Sequence, residues 1–413
     1  MRHIIIGGGI AGISASRAIR GRDKDAEITM ISGEKAKAYY RPMIPYLIEK
    51  EGMDINFLED PVEKYGIGVV YEKAAGVDAK SKEVILSSGE RLNFDKLLIA
   101  TGSSPVIPDI RGLGGKGVFT LRTMEDALGI REYCRGREDA VVLGGGLVGI
   151  KAAISLKHSG LNVTIIEKLE EILDQRLDKR GSRIISKVLL NGDIGVLTGD
   201  TIEEVIRKRD MVEAVRLSSG KVIKADIVIV AAGVRPDVDV LKNSGIKTGN
   251  GVLINEYLQT CMPDIYAAGD VVEYRDLITG MLSINALWTN AEEMGRLAGK
   301  NMTGENIRYS GFLSVMNATD ISGIPVIAVG IIDPDTEGYE VITDDRIDSY
   351  RKLVFRDDFL VGIIFIGDLT NAGIYTNLIK NKIPVGRLKE EAIKGNLGYI
   401  NFIRKAPFQT ITV

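Results

Sequence analysis

The chain has 413 residues, of which 45% are hydrophobic and 26% charged, and its formal net charge is −3. This length and composition predict a globular protein of two or three domains, and the lack of a basic block argues against a nucleic-acid-binding surface. Since no apolar segment approaches the roughly 18 residues of a membrane-spanning helix, we expect a cytoplasmic protein.

The first residues of the chain predict a dinucleotide-binding fold. An apolar run at residues 4–6 is followed by Gly7, Gly9 and Gly12, in the spacing G-x-G-x-x-G, and then by a helix-compatible segment. In this fingerprint the first glycine permits a tight turn, the second lets a pyrophosphate approach the backbone, and the third lets the helix pack on the strand. A single match would be weak evidence.

The same fingerprint recurs at Gly144, Gly146 and Gly149, and residues 4–19 align without a gap with residues 141–156. We therefore predict two dinucleotide sites in an α/β chain. An acidic residue follows each fingerprint by about 20 positions, where a carboxylate accepts a ribose 2′-OH. These residues are Glu34 and Glu167.

The support for ribose binding differs between Glu34 and Glu167. Glu34 could also be a solvated loop glutamate. Glu167 stands at a predicted strand end and is followed by Lys168 but no arginine. Because an acid there repels a 2′-phosphate, we expect NADH rather than NADPH at the second site.

Between the fingerprints, residues 38–50 form a loop stiffened by Pro42 and Pro45, which could cover a ring system. Residues 97–105 predict a buried strand that runs into the turn Thr101-Gly102. Beyond a linker near residue 108, the pattern predicts a helix over 124–134 and strands over 162–166 and 222–230.

The last third of the chain adds a strand and turn ending at Asp270 and a helix over 287–304 that begins near Trp288. From about residue 308 the pattern changes to alternating strands and then a helix over 372–380. This tail carries no acid–base cluster, and we interpret it as an α+β domain for docking or dimerisation.

Cysteine and histidine usage points to chemistry carried by a cofactor. Cys134 and Cys261 are the only cysteines and have no metal-ligand or redox spacing, so we predict no metal site, iron–sulphur cluster or local redox disulphide. His3 and His158, the only histidines, have no companions for a catalytic triad.

Five motifs in this order, GGGIAG, LLIATGSSP, GGGLVG, AAGVRP and IYAAGD, resemble the flavoprotein reductases of the pyridine nucleotide–disulphide oxidoreductase superfamily. The resemblance covers almost the whole chain. It implies two Rossmann-like domains in a glutathione-reductase-like arrangement, followed by the α+β domain. It also implies FAD at the first fold, NADH at the second, and hydride transfer from NADH to the flavin.

Carried over position by position, the resemblance assigns site residues. The FAD ligands are expected at Gly7, Gly9, Gly12, Glu34, Arg41, Thr101, Gly102, Asp270 and Trp288. The NADH ligands are expected at Gly144, Gly146, Gly149, Glu167 and Gly233. The domains are expected at residues 1–107 with 236–306 for FAD, 108–235 for NADH, and 307–413 for docking or dimerisation.

Within the superfamily, YYRPMIPYLI and the tail look most like NADH:rubredoxin reductases and the flavin-binding part of NADH-dependent nitrite reductases. Two departures matter. The segment 41–46 lacks the redox cysteine of the disulphide reductases, persulphide reductases and NADH peroxidases, which argues against a thiol–disulphide mechanism. Lys151 stands where these enzymes usually have a glutamate, which in related ferredoxin reductases pairs with a loop lysine that aligns here with Tyr46.

We predict that Arg41, Pro42 and Lys151 act beside the reacting ring, with Lys151 supplying a positive charge that stabilises reduced flavin. An exposed helix lysine is the alternative. The expected function is electron transfer from NADH through FAD to a separate redox protein, namely rubredoxin, ferredoxin or a metalloenzyme subunit. The alternatives are a flavin subunit of a larger metalloenzyme, an NADH oxidase, and a non-catalytic FAD- and NADH-binding protein.

Overall fold

A computed structural model describes residues 1–57, 60–334, 336–347 and 349–398. The chain separates into two compact units. The first contains Met1–Glu170 and Asp193–Phe312, and the second contains Glu171–Gly192 and the chain from Leu313 onward. Residues 171–192, which the sequence predicts in the inserted NADH domain, group with the C-terminal part of the chain in the structure.

The first part of the first unit alternates strands and helices. In chain order the elements are β1 (Arg2–Ile6), α1 (Ile10–Arg22), β2 (Glu27–Ile31), α2 (Tyr46–Glu49), α3 (Pro61–Tyr65), β3 (Gly68–Val70), β4 (Ala74–Asp78), β5 (Glu83–Leu86), β6 (Arg91–Asn93), β7 (Lys96–Ile99) and β8 (Ser103–Pro105). Strand β1 lies between β2 and β7 in parallel register, with Ile5 opposite Met30 and Leu98. These strands are buried on both faces, which explains their nearly continuous apolar sequences.

The inserted part repeats the pattern. Its elements are β9 (Val118–Thr120), α4 (Met124–Cys134), β10 (Asp139–Leu143), α5 (Leu147–His158), β11 (Asn162–Ile166), α6 (Lys179–Asn191, in the second unit), β12 (Ile194–Leu197), β13 (Ile202–Lys208), β14 (Met211–Leu217), β15 (Val222–Lys224), β16 (Ile227–Val230) and β17 (Val234–Pro236). A parallel sheet has the order β12-β11-β10-β16-β9. The predicted helix 124–134 and strand 162–166 are confirmed at both ends.

The predicted single strand over 222–230 is wrong. The structure divides it into β15, which pairs with β14 in an antiparallel hairpin, and β16, which lies in the parallel sheet. The break falls at Asp226, whose carboxylate accepts hydrogen bonds from the backbone N–H groups of Glu138 and Asp139. Both segments are apolar enough to be strands, so the sequence pattern does not reveal the turn between them.

The chain then returns to the first sheet through β18 (Val252–Leu253), β19 (Ile265–Ala267), β20 (Val272–Arg275), β21 (Leu282–Ile284) and α7 (Trp288–Met302). Strand β19 pairs with β7, which gives the sheet order β19-β7-β1-β2-β3. None of the helices in the described parts of the chain combines the length and the apolar sequence needed to cross a bilayer.

The second unit is built on an antiparallel sheet. Its elements after α6 are β22 (Met316–Ile321), β23 (Ile324–Gly330), β24 (Glu340–Asp345), β25 (Tyr350–Arg356), β26 (Phe359–Ile366), α8 (Ala372–Lys380) and α9 (Lys389–Ile393), with the sheet order β22-β23-β26-β25-β24. Asp178 caps the N-terminus of α6 and accepts hydrogen bonds from the buried Tyr350 and Lys352 at 2.7 and 2.8 Å. This fixes α6 to the sheet.

His3 gives the fold a pH dependence that can be tested. The side chain is 1% exposed, neither ring nitrogen has a hydrogen-bond partner among the described residues, and burial lowers the pKa of the imidazole to about 4. Between pH 6.5 and about 4 the unfolded chain binds a proton that the folded chain does not. The free energy of unfolding should therefore fall by about 3 kcal/mol as the pH is lowered through this window.

Urea unfolding between pH 7 and 4 measures this dependence. His3→Leu should flatten the pH profile, whereas the control Lys221→Leu, at an exposed position, should keep the wild-type profile. Equal pH profiles for wild type and His3→Leu would show that His3 does not cause the loss of stability.

Candidate active site

A cleft of about 930 Å³ lies beside the first glycine fingerprint, within the size range of ligand pockets. It is lined by residues from distant parts of the first unit. Of the predicted site residues, it contains Gly9, Glu34, Arg41, Pro42, Thr101, Gly102, Asp270 and Trp288. Val148, from the first turn of α5, also lines it. The second fingerprint therefore presents its helix to the same cleft.

The two glycine loops have the same geometry. Gly7 has φ +123°, and a Cβ there would lie 2.0 Å from the Ala100 carbonyl oxygen, while a Cβ on Gly12 would lie 2.2 Å from the Gly7 carbonyl oxygen. A Cβ on Gly9, by contrast, would have no neighbouring atom within 4 Å. The first and third glycines thus close the turn, and the second faces room for a ligand.

In the second loop a Cβ on Gly144 would lie 2.3 Å from the Ala231 carbonyl oxygen, and one on Gly149 would lie 2.0 Å from that of Gly144. Gly146, like Gly9, has no neighbour within 4 Å. Both loops therefore have the open backbone cradle that a dinucleotide pyrophosphate requires at the start of a helix. The residues present fit FAD and NADH.

Glu34 is not a solvated loop residue. The Tyr39 hydroxyl donates to its carboxylate at 2.6 Å, and Arg41 forms an ion pair with the other carboxylate oxygen. Tyr39 also accepts a hydrogen bond from the backbone N–H of Met124 at 3.3 Å, and burial raises the pKa of its hydroxyl. Sequence reasoning missed Tyr39, whose position two residues before Arg41 gave no signal of this contact.

Glu167 has a different environment. Its carboxylate accepts hydrogen bonds from the backbone N–H groups of Gly145 at 2.6 Å and Leu169 at 2.8 Å. Among the residues that the structure describes, no cation forms an ion pair with it. The acid is therefore held rigidly against the second glycine loop with its negative charge not neutralised, whereas Glu34 is neutralised by Arg41.

Asp270 lies at the cleft with a partner that the sequence did not reveal. Its carboxylate accepts hydrogen bonds from the Ser103 hydroxyl at 3.1 Å and the Arg122 guanidinium at 3.0 Å. Arg122 precedes the capping box of Thr123 and Asp126 at the start of α4. The capping box predicts the helix start, but no local signal connects Arg122 with a carboxylate 148 positions away.

The loop after β2 brings aromatic and basic groups to the cleft. Arg41 and Pro42 lie in a short 3₁₀ turn, and both line the cleft with Trp288. The Trp288 ring packs on Tyr40 and Phe57, with centroid distances of 5.8 and 6.0 Å. The loop therefore lines the cleft, and its covering of a ring system stays a prediction.

The small-residue turns hold the two halves of the first unit together. Thr101 donates its hydroxyl to the Asp237 carbonyl oxygen at 2.7 Å, and Gly102 has φ +75°. Gly233 has φ +103°, and its carbonyl oxygen accepts a hydrogen bond from Val106. Gly233 is exposed and does not line the cleft, so its predicted contact with NADH stays a prediction.

Lys151 contacts the loop at Tyr46. Its ammonium donates to the Tyr46 hydroxyl at 3.2 Å and lies 5.4 Å from the ring centroid. Neither residue lines the cleft, but Val148, one helical turn before Lys151 in α5, and Pro42, four residues before Tyr46, both do. Lys151 and Tyr46 thus follow, within four residues, two residues that line the cleft. The influence of the pair on a bound flavin stays a prediction.

Neither of the two cysteines lines the cleft. Cys134 is buried, which raises the pKa of its thiol to about 11, and Cys261 is exposed elsewhere on the unit. The structure therefore provides no thiolate beside the cleft that could act as a redox nucleophile.

The chain matches two family models. Residues 1–295 match the pyridine nucleotide-disulphide oxidoreductase family, and residues 316–383 match the rubredoxin NAD⁺ reductase C-terminal domain. The chain is 37% identical to an NADH oxidase of Methanocaldococcus jannaschii over 80% of this chain and 75% of the relative. It is 31% identical to the epsilon subunit of the NADH-dependent phenylglyoxylate dehydrogenase of Aromatoleum evansii, over 96% and 95% of the two chains.

A solved structure is similar over nearly the whole chain. The crystal structure of NADH:rubredoxin oxidoreductase from Clostridium acetobutylicum superposes with a TM-score of 0.79 and 30% identity, covering 96% of this chain and 99% of that one. The predicted fold class, with two dinucleotide-binding folds and a C-terminal sheet domain, is confirmed.

Proposed function

Because the chain belongs to the pyridine nucleotide-disulphide oxidoreductase family, we propose that it passes electrons from NADH to a separate one-electron redox protein. The chain is an NADH-dependent FAD flavoprotein reductase. When bound, FAD supplies a ring that accepts hydride from NADH and releases electrons singly. The overall reaction is balanced when one NADH and two oxidised acceptors give NAD⁺, one proton and two reduced acceptors.

The observation that carries this proposal is the pair of open glycine loops, one lining the cleft and the other opening a helix that reaches it. Gly9 and Gly146 give each pyrophosphate access to backbone N–H groups. Glu34 and Glu167 would accept the ribose hydroxyls, and Asp270, oriented by Arg122, a hydroxyl of the FAD chain. Pro42 and Trp288 would exclude water from the reacting ring. The protein's contribution is therefore orientation and electrostatics.

Three features support a protein acceptor. No thiol lies at the cleft. Residues 316–383 match a domain named for rubredoxin reductases, and a relative of similar length and fold is an NADH:rubredoxin oxidoreductase.

We assign FAD binding to residues 1–107 and 236–306, NADH binding to 108–235, and acceptor docking or dimerisation to the domain from 307 onward. The likeness to a dehydrogenase epsilon subunit favours, as second candidate, an NADH-oxidising subunit of a larger metalloenzyme.

Anaerobic stopped-flow reduction tests the proposal. The FAD-loaded protein should be bleached rapidly by NADH, reoxidised slowly by oxygen, and reoxidised rapidly by rubredoxin or a [2Fe–2S] ferredoxin. Rapid reoxidation by oxygen with no protein acceptor would instead identify an NADH oxidase. If the protein co-purifies with a metalloenzyme, and only that metalloenzyme reoxidises the reduced flavin rapidly, the second candidate, an NADH-oxidising subunit, would be favoured.

Coenzyme choice should depend on the charge of Glu167. In Glu167→Gln the amide oxygen can still accept the Gly145 N–H, but the repulsion of a 2′-phosphate is lost. We expect kcat/KM for NADPH to rise about tenfold. The value for NADH should fall by less than that, because the amide oxygen can still accept the ribose hydroxyl in a hydrogen bond that is about 1 kcal/mol weaker than one to a carboxylate. Glu203→Gln, on the exposed side of β13, is the control. An unchanged NADH-to-NADPH ratio in Glu167→Gln would contradict this role.

A further inference from the structure

Helices α1 and α7 are in backbone contact, and a groove runs along their junction. A Cβ on Gly295 would lie 2.1 Å from the Ala11 carbonyl oxygen, and one on Gly299 would lie 2.4 Å from that of Ala15. Because the helix axes approach so closely, the long side chains on their outer faces form the walls of an open groove of about 270 Å³.

The walls of this groove, which we call the α1/α7 groove, are basic. Its cations are Arg17, Arg22, Arg296 and Lys300. Two acids oppose them. Glu292 lines the groove, and Glu305 forms ion pairs with Arg22 and with Lys300.

Two of the four cations are available for a partner. Arg17 and Arg296, one from each helix, are exposed. In the described ranges of the chain neither of them forms an ion pair. A chain of net charge −3 thus concentrates positive charge at this place.

Both helices connect the groove to the cofactor cleft. Helix α1 begins at Ile10, directly after the open Gly9, and α7 begins at Trp288, which lines the cleft. At 1.5 Å per residue, Arg17 and Arg296 lie about 10–12 Å along their helices from these starts. A folded partner of about 55 residues has a radius of gyration of about 10 Å, so a protein seated on the groove can reach the cleft mouth.

We propose that the α1/α7 groove is the docking site for the acidic face of the one-electron redox protein that accepts electrons from the flavin. This inference rests on the proposed function and adds the surface and the charge of the partner. It places the acceptor on the FAD-binding part of the chain, which leaves dimerisation as the role of the domain from residue 307 onward. The cations are on long exposed side chains rather than on buried donors, which suits a protein face better than a small anion. Charges of this kind increase association rates and select partners of opposite sign.

The double variant Arg17→Glu/Arg296→Glu tests the inference. Rubredoxin and a [2Fe–2S] ferredoxin serve as acceptors, and oxidised rubredoxin is titrated against the FAD-loaded protein by isothermal calorimetry. At low ionic strength we expect KM and Kd for the acceptor to rise about tenfold or more, with a weaker salt dependence. Flavin reduction by NADH and turnover with ferricyanide should not change, because neither residue lines the cleft.

The matched control is Lys116→Glu/Lys221→Glu, which reverses two exposed charges outside the groove. If the groove variant equals this control in KM, Kd and salt dependence while the wild type reduces the acceptors, the docking site is wrong and the proposed function stands. If the NADH-reduced wild type reduces neither protein, the proposed function fails and the inference fails with it. Loss of binding to phosphatidylserine vesicles with an unchanged acceptor KM would make the groove a membrane-surface site and overturn the inference.

Discussion

The variant Gly9→Val should fold normally but purify without FAD, whereas Gly146→Val should retain FAD and lose its reduction by NADH. Both glycines have extended backbone angles that valine can adopt, and both have no neighbouring atom within 4 Å of a Cβ. The Cβ of valine at either position therefore has open space in the protein and would occupy room that a bound ligand needs. Because the pyrophosphate must contact the backbone there, we expect affinity for the corresponding dinucleotide to fall about 100-fold or more.

Three measurements distinguish the two variants: the flavin content after purification, the Kd for added FAD, and the NADH-dependent rate of flavin bleaching. Gly114→Val is the control, because Gly114 is exposed, has open space at its Cβ and lies in neither glycine loop. Thermal unfolding of the flavin-free forms should be the same for all three variants. If Gly9→Val retains FAD, or if Gly146→Val is reduced at the wild-type rate, the assignment of the two sites is wrong.

The charge reversal Lys151→Glu should lower the reduction potential of the bound flavin and slow its reduction by NADH at least about tenfold. Lys151 follows Val148, which lines the cleft, by one helical turn, and its ammonium donates to Tyr46, four residues after Pro42. A positive charge there stabilises negative charge that develops on the reduced ring, and a carboxylate opposes it.

Spectroelectrochemical titration gives the potential, and anaerobic stopped-flow gives the rate. Lys157→Glu is the matched reversal on the same helix, and Tyr46→Phe removes the hydrogen bond but keeps the ring and the lysine charge. We expect wild-type potentials from Lys157→Glu and a small shift from Tyr46→Phe. An unchanged potential and rate in Lys151→Glu would reduce the residue to an interface contact between α2 and α5.

The sequence predicted the glycine loops well because the conformation of each loop depends on residues close to it in the chain. Gly7 and Gly12 are required by contacts within one strand, turn and helix, and the same contacts recur at Gly144 and Gly149. The positions of Glu34 and Glu167 were also predictable, because each acid follows closely after the end of a strand that the local sequence predicts. The boundaries of helix α4 were also predicted, since its capping box is formed by residues within one turn.

The sequence was less informative where partners come from distant segments. It could not show that Arg41 neutralises Glu34 while Glu167 has no ion-pair partner in the described part of the chain. It merged β15 and β16, because two strands of different sheets have the same apolar pattern when only a turn separates them. It also placed α6 with its neighbours in the chain, whereas the buried pair of Asp178 and Lys352 fixes this helix to the C-terminal sheet.

By itself, then, the sequence determined the two dinucleotide folds, their order, an acid after each glycine loop and the absence of a redox cysteine in the loop at 41–46. These features are encoded in short spacings, because glycine conformation and helix starts depend on neighbouring residues. Only the tertiary structure brought Arg122 to Asp270, Tyr39 to Glu34, and the basic faces of α1 and α7 together. Such contacts depend on how strands pair and helices cross, and side chains more than a hundred positions apart leave no periodic signal in the chain.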